Sequence, residues 1–398
     1  MKCTIRVVFQ RSYTAESINR STRMHQCVME TAHHRCCGAA RIESMTRQEI
    51  AQRRLHNQFL WGTPCESPED TLGRLGAMQA QEFAYARWSV AQRTRGDGAA
   101  SVDQAFAGGT ILRTHALRPT WHFVLPADIR WILRLTAPRV NALNGYTYRE
   151  FGLDEAVFAK SNTLFVKALE GGRQLTRTEL TAVLHEAGIA AKGIGLACLL
   201  MRAELDAIIC SGAMHGKQHT YALLDERVPR AKSFDRDEAL AELTRRYFTS
   251  RGPATVQDFL RWSSLTAADA RNGIAMVKQH LEHEEADGRI YWFAVSAQRV
   301  SRASPVIDLI QGYDEYVMSY SESKDILFGQ AAGPEVAPYT HAILLDGQLI
   351  GHWKHVFQKD VAIIETSLYR RLRSAEKQAL EAAVERYGRF LGMPVKCG

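Results

Sequence analysis

From Met45 onward, apolar residues recur every three or four positions in segments that predict short amphipathic helices. Most of these segments open with a Ser, Thr or Asp, whose side chain can accept a hydrogen bond from a free amide of the first turn. Thr46 with Glu49 forms such a start as a capping box, and Ser67 precedes a proline and two acidic residues. The pattern predicts a mostly helical protein, with helices over 46–59, 68–78, 176–187, 196–209, 235–249 and 374–391 and further helix starts at Thr255 and Thr266.

Short segments of strand character follow the predicted helices in three places. Residues 111–117 and 120–125 predict a hairpin that turns at Arg118-Pro119, residues 214–224 predict a hairpin with a basic tip, and residues 289–295 predict a strand. Two helices followed by a small hairpin are the pattern of a winged helix. We therefore expect three tandem winged helices, over residues 45–125, over residues 126–230 together with preceding helices, and over residues 231–300.

Beyond Pro305 the pattern changes from helices to strands. Asp346-Gly347 between two apolar segments predicts a tight hairpin, because both turn residues need positive φ. The predicted strands cover 306–310, 341–345, 348–353 and 361–366. The last helix presents a core face made of Leu380, Val384, Tyr387 and Leu391. Residues 301–398 therefore predict a β-barrel-like unit, and the predicted fold class is mainly α with small β elements: tandem winged-helix motifs plus a C-terminal β-barrel-like domain.

Residues 1–44 differ from the rest of the chain because no helical or strand period is sustained there. They contain half of the 8 cysteines and more than half of the net charge of +7. We predict a disordered extension or a misassigned start, with Met45 as the true first residue. The alternative is a metal site made by His33, His34, Cys36 and Cys37, but the adjacent cysteines lack the two-residue spacer of zinc knuckles.

Composition narrows the class of protein further. No segment approaches the roughly 18 apolar residues that a membrane span needs, and the N-terminus lacks the apolar core of a secretory signal. We expect a cytoplasmic monomer that has no metal, cofactor or membrane partner. Because the net charge after residue 44 is small, a nucleic-acid surface would have to come from local clusters of Arg and Lys.

Gln79-Ala80-Gln81 is the strongest candidate for a catalytic motif. Two amides one residue apart can hold a water molecule between them, and they cannot ionise, so they would act by positioning. Glu82 is the adjacent ionisable residue and is a rival general base. The plain alternative is that both glutamines are polar residues on a helix surface.

Four segments, in their order along the chain, resemble the winged-helix DNA glycosylases of the AlkZ type. They are Gln79-Ala80-Gln81, the stretch from Leu117 to Val124, Gly312-Tyr313-Asp314-Glu315-Tyr316, and the stretch from Asp346 to Lys354. The resemblance extends over about residues 46–395. In that family a Gln, an apolar residue and a second Gln form the catalytic motif, so Gln79 and Gln81 match it position by position. A sister group resembling YcaQ has an aspartate at the last position, which this chain lacks.

The resemblance implies excision of N7-alkylated purines from double-stranded DNA, including the unhooking of interstrand crosslinks. Alkylation at N7 makes the purine cationic and a good leaving group without protonation, whereas ordinary glycoside hydrolysis needs a carboxylic acid and a carboxylate. The two amide oxygens could orient a water toward C1′ and face the developing positive charge. Such an enzyme would be cytoplasmic and associated with the nucleoid when it is bound to DNA.

Other side chains are candidates for contacts to DNA or to the lesion. They are Arg118, Thr120, Trp121, His122, Tyr313, Asp314, Lys217, His219 and Lys354. Plainer interpretations stay open for several of them: a structural histidine at 122, a core tyrosine and a turn aspartate at 313 and 314, and solvated lysines.

A non-catalytic winged-helix DNA-binding protein, such as a transcriptional regulator, is the alternative function. Against it, the predicted recognition helix offers only Arg202 and Glu204 for base edges, and no dimerisation or ligand-sensing module is evident. An RNA-binding protein is a third hypothesis, but the aromatic strand pattern of that class is missing.

Overall fold

The computed structural model describes residues 45–96, 98–228, 233–295, 303–328 and 340–398. Residues 1–44 lie outside this part of the chain, and so do the four residues of the alternative metal site, His33, His34, Cys36 and Cys37. The α-helices are α1 Arg47–Asn57, α2 Pro68–Leu75, α3 Phe83–Ala91, α4 Ala99–Gly108, α5 Pro126–Glu150, α6 Glu155–Leu169, α7 Arg177–Glu186, α8 Gly193–Leu205, α9 Leu224–Arg227, α10 Arg236–Arg251, α11 Val256–Ser263, α12 Ala267–Val277, α13 Glu315–Met318, α14 Asp325–Phe328 and α15 Ser374–Leu391. The strands are β1 Met78–Gln79, β2 Leu112–Ala116, β3 Arg118–Val124, β4 Leu175–Thr176, β5 Ile209–Ser211, β6 Thr220–Leu223, β7 Leu281–Ala286, β8 Arg289–Ala294, β9 Ile307–Ile310, β10 His341–Leu345, β11 Gln348–Gln358, β12 Val361–Leu368 and β13 Val395–Cys397.

The helix starts that were predicted from capping residues are confirmed. Thr46, Thr176, Thr255 and Thr266 each form a capping box with an acidic residue three positions later. Ser67 caps α2 through its side chain, with Pro68 as the first helical residue. These starts depend on residues three or four positions apart, which is why the sequence alone could place them.

Within residues 45–125, the first of the three predicted units, the sheet has three strands in the order β1-β3-β2. The chain reverses at Leu117, which has φ +60, so that Ala116 pairs with Arg118. The turn predicted at Arg118-Pro119 is therefore wrong, and both residues belong to β3. Leu117 is fully buried and its amide donates to Thr136 Oγ1 at 3.3 Å, which fixes the reversal at this position.

The second unit contains the sheet β4-β6-β5 next to α7 and α8. The helix predicted over 196–209 is wrong at both ends, since α8 begins three residues earlier, ends at Leu205 and gives way to β5 at Ile209. Ala207 has a positive φ of 57°, which ends the helical path before Ile209. In the third unit, the strand predicted over 289–295 is confirmed as β8 and pairs with β7.

The C-terminal strands form a curled five-stranded sheet, a half-barrel, in the order β13-β12-β11-β10-β9. Asp346 and Gly347 have φ values of 50° and 87° and join β10 to β11, as predicted. Leu380, Val384 and Tyr387 of α15 are buried against the sheet together with Ile364 and Trp353. The protein as a whole is mostly helical.

Two contacts connect the Gln79 region to the rest of the fold. Trp88 of α3 donates from Nε1 to the carbonyl oxygen of Leu309 in β9 at 2.7 Å, which holds α3 on the half-barrel. On the other side, the apolar core of the first unit continues without a break into α5, α8 and α10. Among the described residues, no helix is long and apolar enough to cross a membrane.

Candidate active site

Gln79 lies on an edge strand, and Ala80 and Gln81 belong to the link between this strand and α3, so the segment is not on a helix surface. Helix α2 ends at Leu75, three residues before the predicted end, because Gly76 adopts a φ of 77° that favours glycine. The chain then forms β1, in which Gln79 pairs with His122 of β3. The amide of Ala80 continues this pairing by donating to the carbonyl oxygen of Trp121 at 2.7 Å. The strand β1 ends at Gln79, and α3 begins at Phe83, two residues after Gln81.

Gln79 is almost completely buried, with 2% of its surface exposed. Its Oε1 accepts a hydrogen bond from Arg118 Nη2 at 2.9 Å. Since a guanidinium group has only donors, the atom facing Arg118 must be the amide oxygen, which fixes the orientation of the Gln79 side chain. The Gln79 backbone amide donates to Glu315 Oε1 at 2.7 Å.

Gln81 is half-buried and lies closer to the surface. Its Oε1 accepts a long hydrogen bond of 3.4 Å from the backbone amide of Trp121. Trp121 in turn contacts Arg113, whose guanidinium carbon lies 4.2 Å from the ring centre, and the ring of His115 at 4.3 Å. Arg113 also donates from Nε to the carbonyl oxygen of Ala80 at 2.9 Å, so the residue between the two glutamines is held from both sides.

Arg118, Thr120 and His122 alternate along β3 and lie on the face that Gln79 shares. Arg118 also donates from Nη1 to the carbonyl oxygen of Trp262 at 3.1 Å. His122 is fully buried, and its Nδ1 lies 2.9 Å from the carbonyl oxygen of Thr120. A carbonyl oxygen only accepts, so Nδ1 carries the hydrogen and Nε2 has its lone pair toward Arg118. Burial and the charge of Arg118 lower the pKa of His122 to about 3, so it is neutral.

Glu315 is the central residue that the sequence did not single out. Its buried carboxylate accepts hydrogen bonds from the Gln79 amide, from Arg251 at 2.7 and 3.1 Å, from Trp262 Nε1 at 2.8 Å and from Ser319 Oγ at 2.8 Å. Burial opposes its ionisation, but the charges of Arg251 and Arg118 outweigh burial and lower the pKa to about 2. Glu315 is therefore ionised and committed to these partners.

The neighbouring residues Tyr313 and Asp314 have different environments. Asp314 is 1% exposed, and its carboxylate is held by Arg93 at 2.7 and 2.8 Å. It also caps α13. These partners agree with the plainer interpretation of Asp314 as a turn aspartate, and a contact with the lesion stays a prediction. Tyr313 is half-buried at the same turn, and its role stays a prediction.

The predicted phosphate contacts are not part of this cluster. Lys217 is exposed in the loop between β5 and β6, and Lys354 is exposed on β11, where it pairs with Glu365 at 2.7 Å. His219 packs against the rings of Phe83 and Phe106. Burial and the charge of Arg113 lower the pKa of His219 to about 4, so this imidazole is neutral, and its contact with a phosphate stays a prediction.

Helix α8 does not present the base-reading side chains that the sequence suggested. Glu204 is buried and bonded to His115 Nδ1, beneath Trp121. Arg202 is engaged by Glu155 and Asp206 at 2.8 to 3.0 Å. Both side chains are therefore committed within the protein.

Glu82, the rival general base, follows Gln81 and starts α3 without a side-chain capping bond. The residue is exposed at the surface, yet protein atoms around its carboxyl group shield it partly from water and raise its pKa. Across the described ranges, no group of three or more His, Cys, Asp and Glu residues could hold a metal ion. Apart from Glu82, the ionisable groups that the structure places beside Gln79 are Arg118 and Glu315, both with hydrogen-bond partners, and the neutral imidazole of His122.

Comparison with known proteins identifies the family. Residues 72–390 match the family described as DNA glycosylase AlkZ-like. The interstrand DNA cross-link repair glycosylase of Streptomyces sahachiroi is 25% identical over 371 residues, covering 86% of this chain and 96% of that protein. The solved structure of Streptomyces sahachiroi DNA glycosylase AlkZ has the same fold, with a TM-score of 0.73 at 20% identity over 89% of this chain and 100% of that chain. The family match covers most of the sequence, and the protein therefore belongs to the AlkZ-like family of DNA glycosylases, enzymes that hydrolyse N-glycosidic bonds.

Proposed function

We propose that this chain excises N7-alkylated purines from double-stranded DNA with a water molecule that Gln79 and Gln81 position. The observation that carries the proposal is the hydrogen bonding of the buried groups around the glutamines. Glu315 is ionised and accepts five hydrogen bonds, and His122 is neutral with its nitrogen-bound hydrogen donated to a carbonyl oxygen. Neither can protonate a leaving base. A purine that is already cationic needs no proton to leave, and therefore suits this site.

The reaction balances without an acid. The bond between C1′ and N9 breaks, its electron pair stays with the cationic purine, and the purine leaves as a neutral base. The sugar becomes an oxocarbenium ion, whose positive charge faces amide oxygens. A water oxygen then bonds to C1′, and its surplus proton passes to bulk water. Gln79 and Gln81 supply orientation and negative dipoles rather than proton transfer.

The same site suits bulkier N7 adducts, because its accessible side belongs to an edge strand rather than to a closed pocket. The Streptomyces relative is named as an interstrand cross-link repair glycosylase. A crosslinked purine cannot leave the duplex completely, so its glycosylase needs a cleft open to the duplex. We include interstrand crosslinks among the proposed substrates for this reason.

The DNA-facing surface would be built from the helix and hairpin units. We propose that residues 45–125, 126–230 and 231–300 are winged helices and that a cytoplasmic monomer binds damaged duplex DNA with them. Lys217 is exposed in the β5–β6 loop, where a wing would approach phosphates. The regulator alternative is disfavoured because Arg202 and Glu204 are committed within the protein.

Single-turnover release of N7-methylguanine from a duplex oligonucleotide tests the proposal. We expect the wild-type protein to release the free base and leave an abasic site, which alkaline cleavage of the strand detects. An unmodified duplex of the same sequence is the control. Tight duplex binding without release of N7-methylguanine, of a bulkier N7 adduct or of a crosslinked strand would favour the non-catalytic alternative.

The rate of release is expected to stay nearly constant between about pH 5 and 6.5, below the pH at which N7-methylguanine itself loses a proton. The glutamines do not titrate, and the pKa values of Glu315, about 2, and His122, about 3, lie below this range. The pKa of Glu82 is raised by burial of its carboxyl group. A rate that falls with decreasing pH in the wild type, but not in Glu82→Gln, would therefore identify Glu82 as the base and contradict the glutamine mechanism.

A further inference from the structure

The hydroxyl group of Thr120 is a polar atom that the mechanism above does not use. Its Oγ1 is shielded from solvent and finds no hydrogen-bond partner among the described residues. A buried hydroxyl without a partner loses the hydrogen bonds that it would make to water, at a cost of about 1 to 3 kcal/mol. A protein therefore keeps such a group where it serves a ligand or a bound water.

The position of Thr120 within the candidate active site is unusual. Along β3, its side chain lies between those of Arg118 and His122, whose nitrogen atoms approach each other to 3.4 Å. Across the sheet, Arg118 reaches Gln79 Oε1 at 2.9 Å. The peptide bond after Thr120 carries the amide that donates to Gln81 Oε1 at 3.4 Å. Since Thr120 is bonded directly to that amide, its side chain is within about 6 Å of the Gln81 amide group.

Access from outside separates the residues of this cluster into two groups. Gln79 is 2% exposed and His122 is fully buried, so neither can approach a nucleotide directly. Thr120 and Gln81 are half-buried and lie at the accessible edge. A water that attacks a nucleotide must be held at this edge, where Thr120 offers a hydroxyl that has no partner among the described residues.

The acceptor positions of the two amide oxygens limit how the glutamines can bind a water molecule. An amide oxygen has two acceptor positions, and Gln79 Oε1 uses one of them for Arg118. Gln81 Oε1 uses one for the weak bond from Trp121. Each glutamine oxygen can therefore accept one hydrogen of a water molecule, and the amide nitrogens are the only donors that the two side chains offer. The water oxygen would keep two lone pairs, only one of which can point at C1′.

We propose that Thr120 is a third water-binding residue, which donates its hydroxyl hydrogen to the second lone pair of the attacking water. The water would then have four fixed directions: two hydrogens toward Gln79 and Gln81, one lone pair toward Thr120 and one toward C1′. This inference rests on the glycosylase function proposed above. It assigns Thr120 to the water rather than to the lesion, the contact expected from the sequence.

The variant Thr120→Val tests the proposal because it removes the hydroxyl and keeps the shape of the side chain. We expect single-turnover release of N7-methylguanine to fall about tenfold, the value of one lost neutral hydrogen bond, with duplex affinity unchanged. Thr120→Ser keeps the hydroxyl and should retain a rate near that of the wild type. A lesion or phosphate contact would instead weaken duplex binding.

Thr114→Val is the matched control. Thr114 lies on β2 of the same sheet, is fully buried and also has a hydroxyl without a partner among the described residues, but it is on the far side of β3 from the glutamines. Its rate should equal that of the wild type. The proposal is overturned if Thr120→Val keeps the wild-type rate, if Thr120→Ser is as slow as Thr120→Val, or if the loss appears only in affinity.

A high-resolution crystal structure separates this inference from the proposed function. We expect an ordered water within hydrogen-bond distance of Thr120 Oγ1 and Gln81 Oε1. If the wild type releases N7-methylguanine but no water occupies this position, Thr120 has no water-binding role although the function stands. If the water is present but no alkylated purine is released, the water site stands and the proposed function fails.

Discussion

Replacing both Gln79 and Gln81 by alanine is expected to lower single-turnover release of N7-methylguanine by at least about 10³-fold, while duplex affinity changes little. Removal of one group that stabilises transition-state charge typically costs about 10² to 10³ in rate. Two groups that hold the same water act as a unit, so the double variant should be only somewhat slower than the slower single variant. Affinity should persist because Gln79 is almost completely buried and therefore offers little surface for contact with DNA.

The two single variants separate chemistry from structure. Gln79→Ala removes a partner of Arg118, so thermal unfolding should be measured beside the rate. Gln81→Ala removes only a long bond to the Trp121 amide, and should slow release without changing stability. Gln378→Ala, an exposed glutamine on α15, is the matched control. Loss of release in Glu82→Ala, with both glutamines dispensable, would sink the water-positioning mechanism.

Several parts of the fold could be predicted because their causes are local. The capping boxes at Thr46 and Thr176, and the hairpin at Asp346-Gly347, depend on residues within four positions of each other. The errors came where tertiary packing set the backbone. Leu117 takes a positive φ that its side chain disfavours, and it does so with its side chain buried and its amide bonded to Thr136.

The candidate site was only partly predictable for the same reason. Gln79 and Gln81 were recognisable as a short motif. The local sequence pattern did not predict that they lie close to Arg118 and His122. Glu315 contacts Gln79 across 236 positions of sequence, and Arg251 and Trp262 across 64 and 53 positions. Such pairings depend on how four elements pack together, which periodicity does not encode. The sequence did single out the segment that contains Glu315, but the candidate residues in it were Tyr313 and Asp314.

Buried groups of opposite charge surround the neutral amide of Gln79. Arg118 lies beside Gln79, where a positive charge would oppose a cationic substrate and an oxocarbenium ion. The ionised Glu315 accepts a hydrogen bond from the Gln79 backbone amide in β1, and its negative charge opposes the positive charges of Arg251 and Arg118. We therefore regard Glu315 as a positioning residue, which holds the Gln79 backbone and counters the charge of Arg118 without contact to the substrate.

Replacing Glu315 by glutamine is accordingly expected to lower the free energy of unfolding by about 3 to 5 kcal/mol at neutral pH. The variant keeps the size of the side chain but leaves Arg251 without its buried counter-charge. The new NH2 group is itself a donor, so it cannot accept the hydrogen bonds that the carboxylate oxygen accepted from the groups around it. Denaturant unfolding of the two proteins gives the difference directly. Because the β1 strand loses its anchor at the Gln79 amide, release of N7-methylguanine should also slow in the fraction that stays folded.

The pH dependence distinguishes a charge effect from a simple loss of packing. The pKa of Glu315 is about 2 in the folded protein, against an ordinary value of 4.5 for an unfolded chain. A carboxyl whose pKa is lowered on folding contributes stability above the unfolded pKa and loses that contribution as the pH falls through the folded pKa. The advantage of the wild type over Glu315→Gln, about 3 kcal/mol from this shift, should therefore shrink between about pH 4.5 and 2. Glu155→Gln, which breaks an exposed pair with Arg202, should cost less than about 1 kcal/mol. A difference between the wild type and Glu315→Gln that is equally large at low pH would show that shape, rather than the buried charge, holds Gln79 in place.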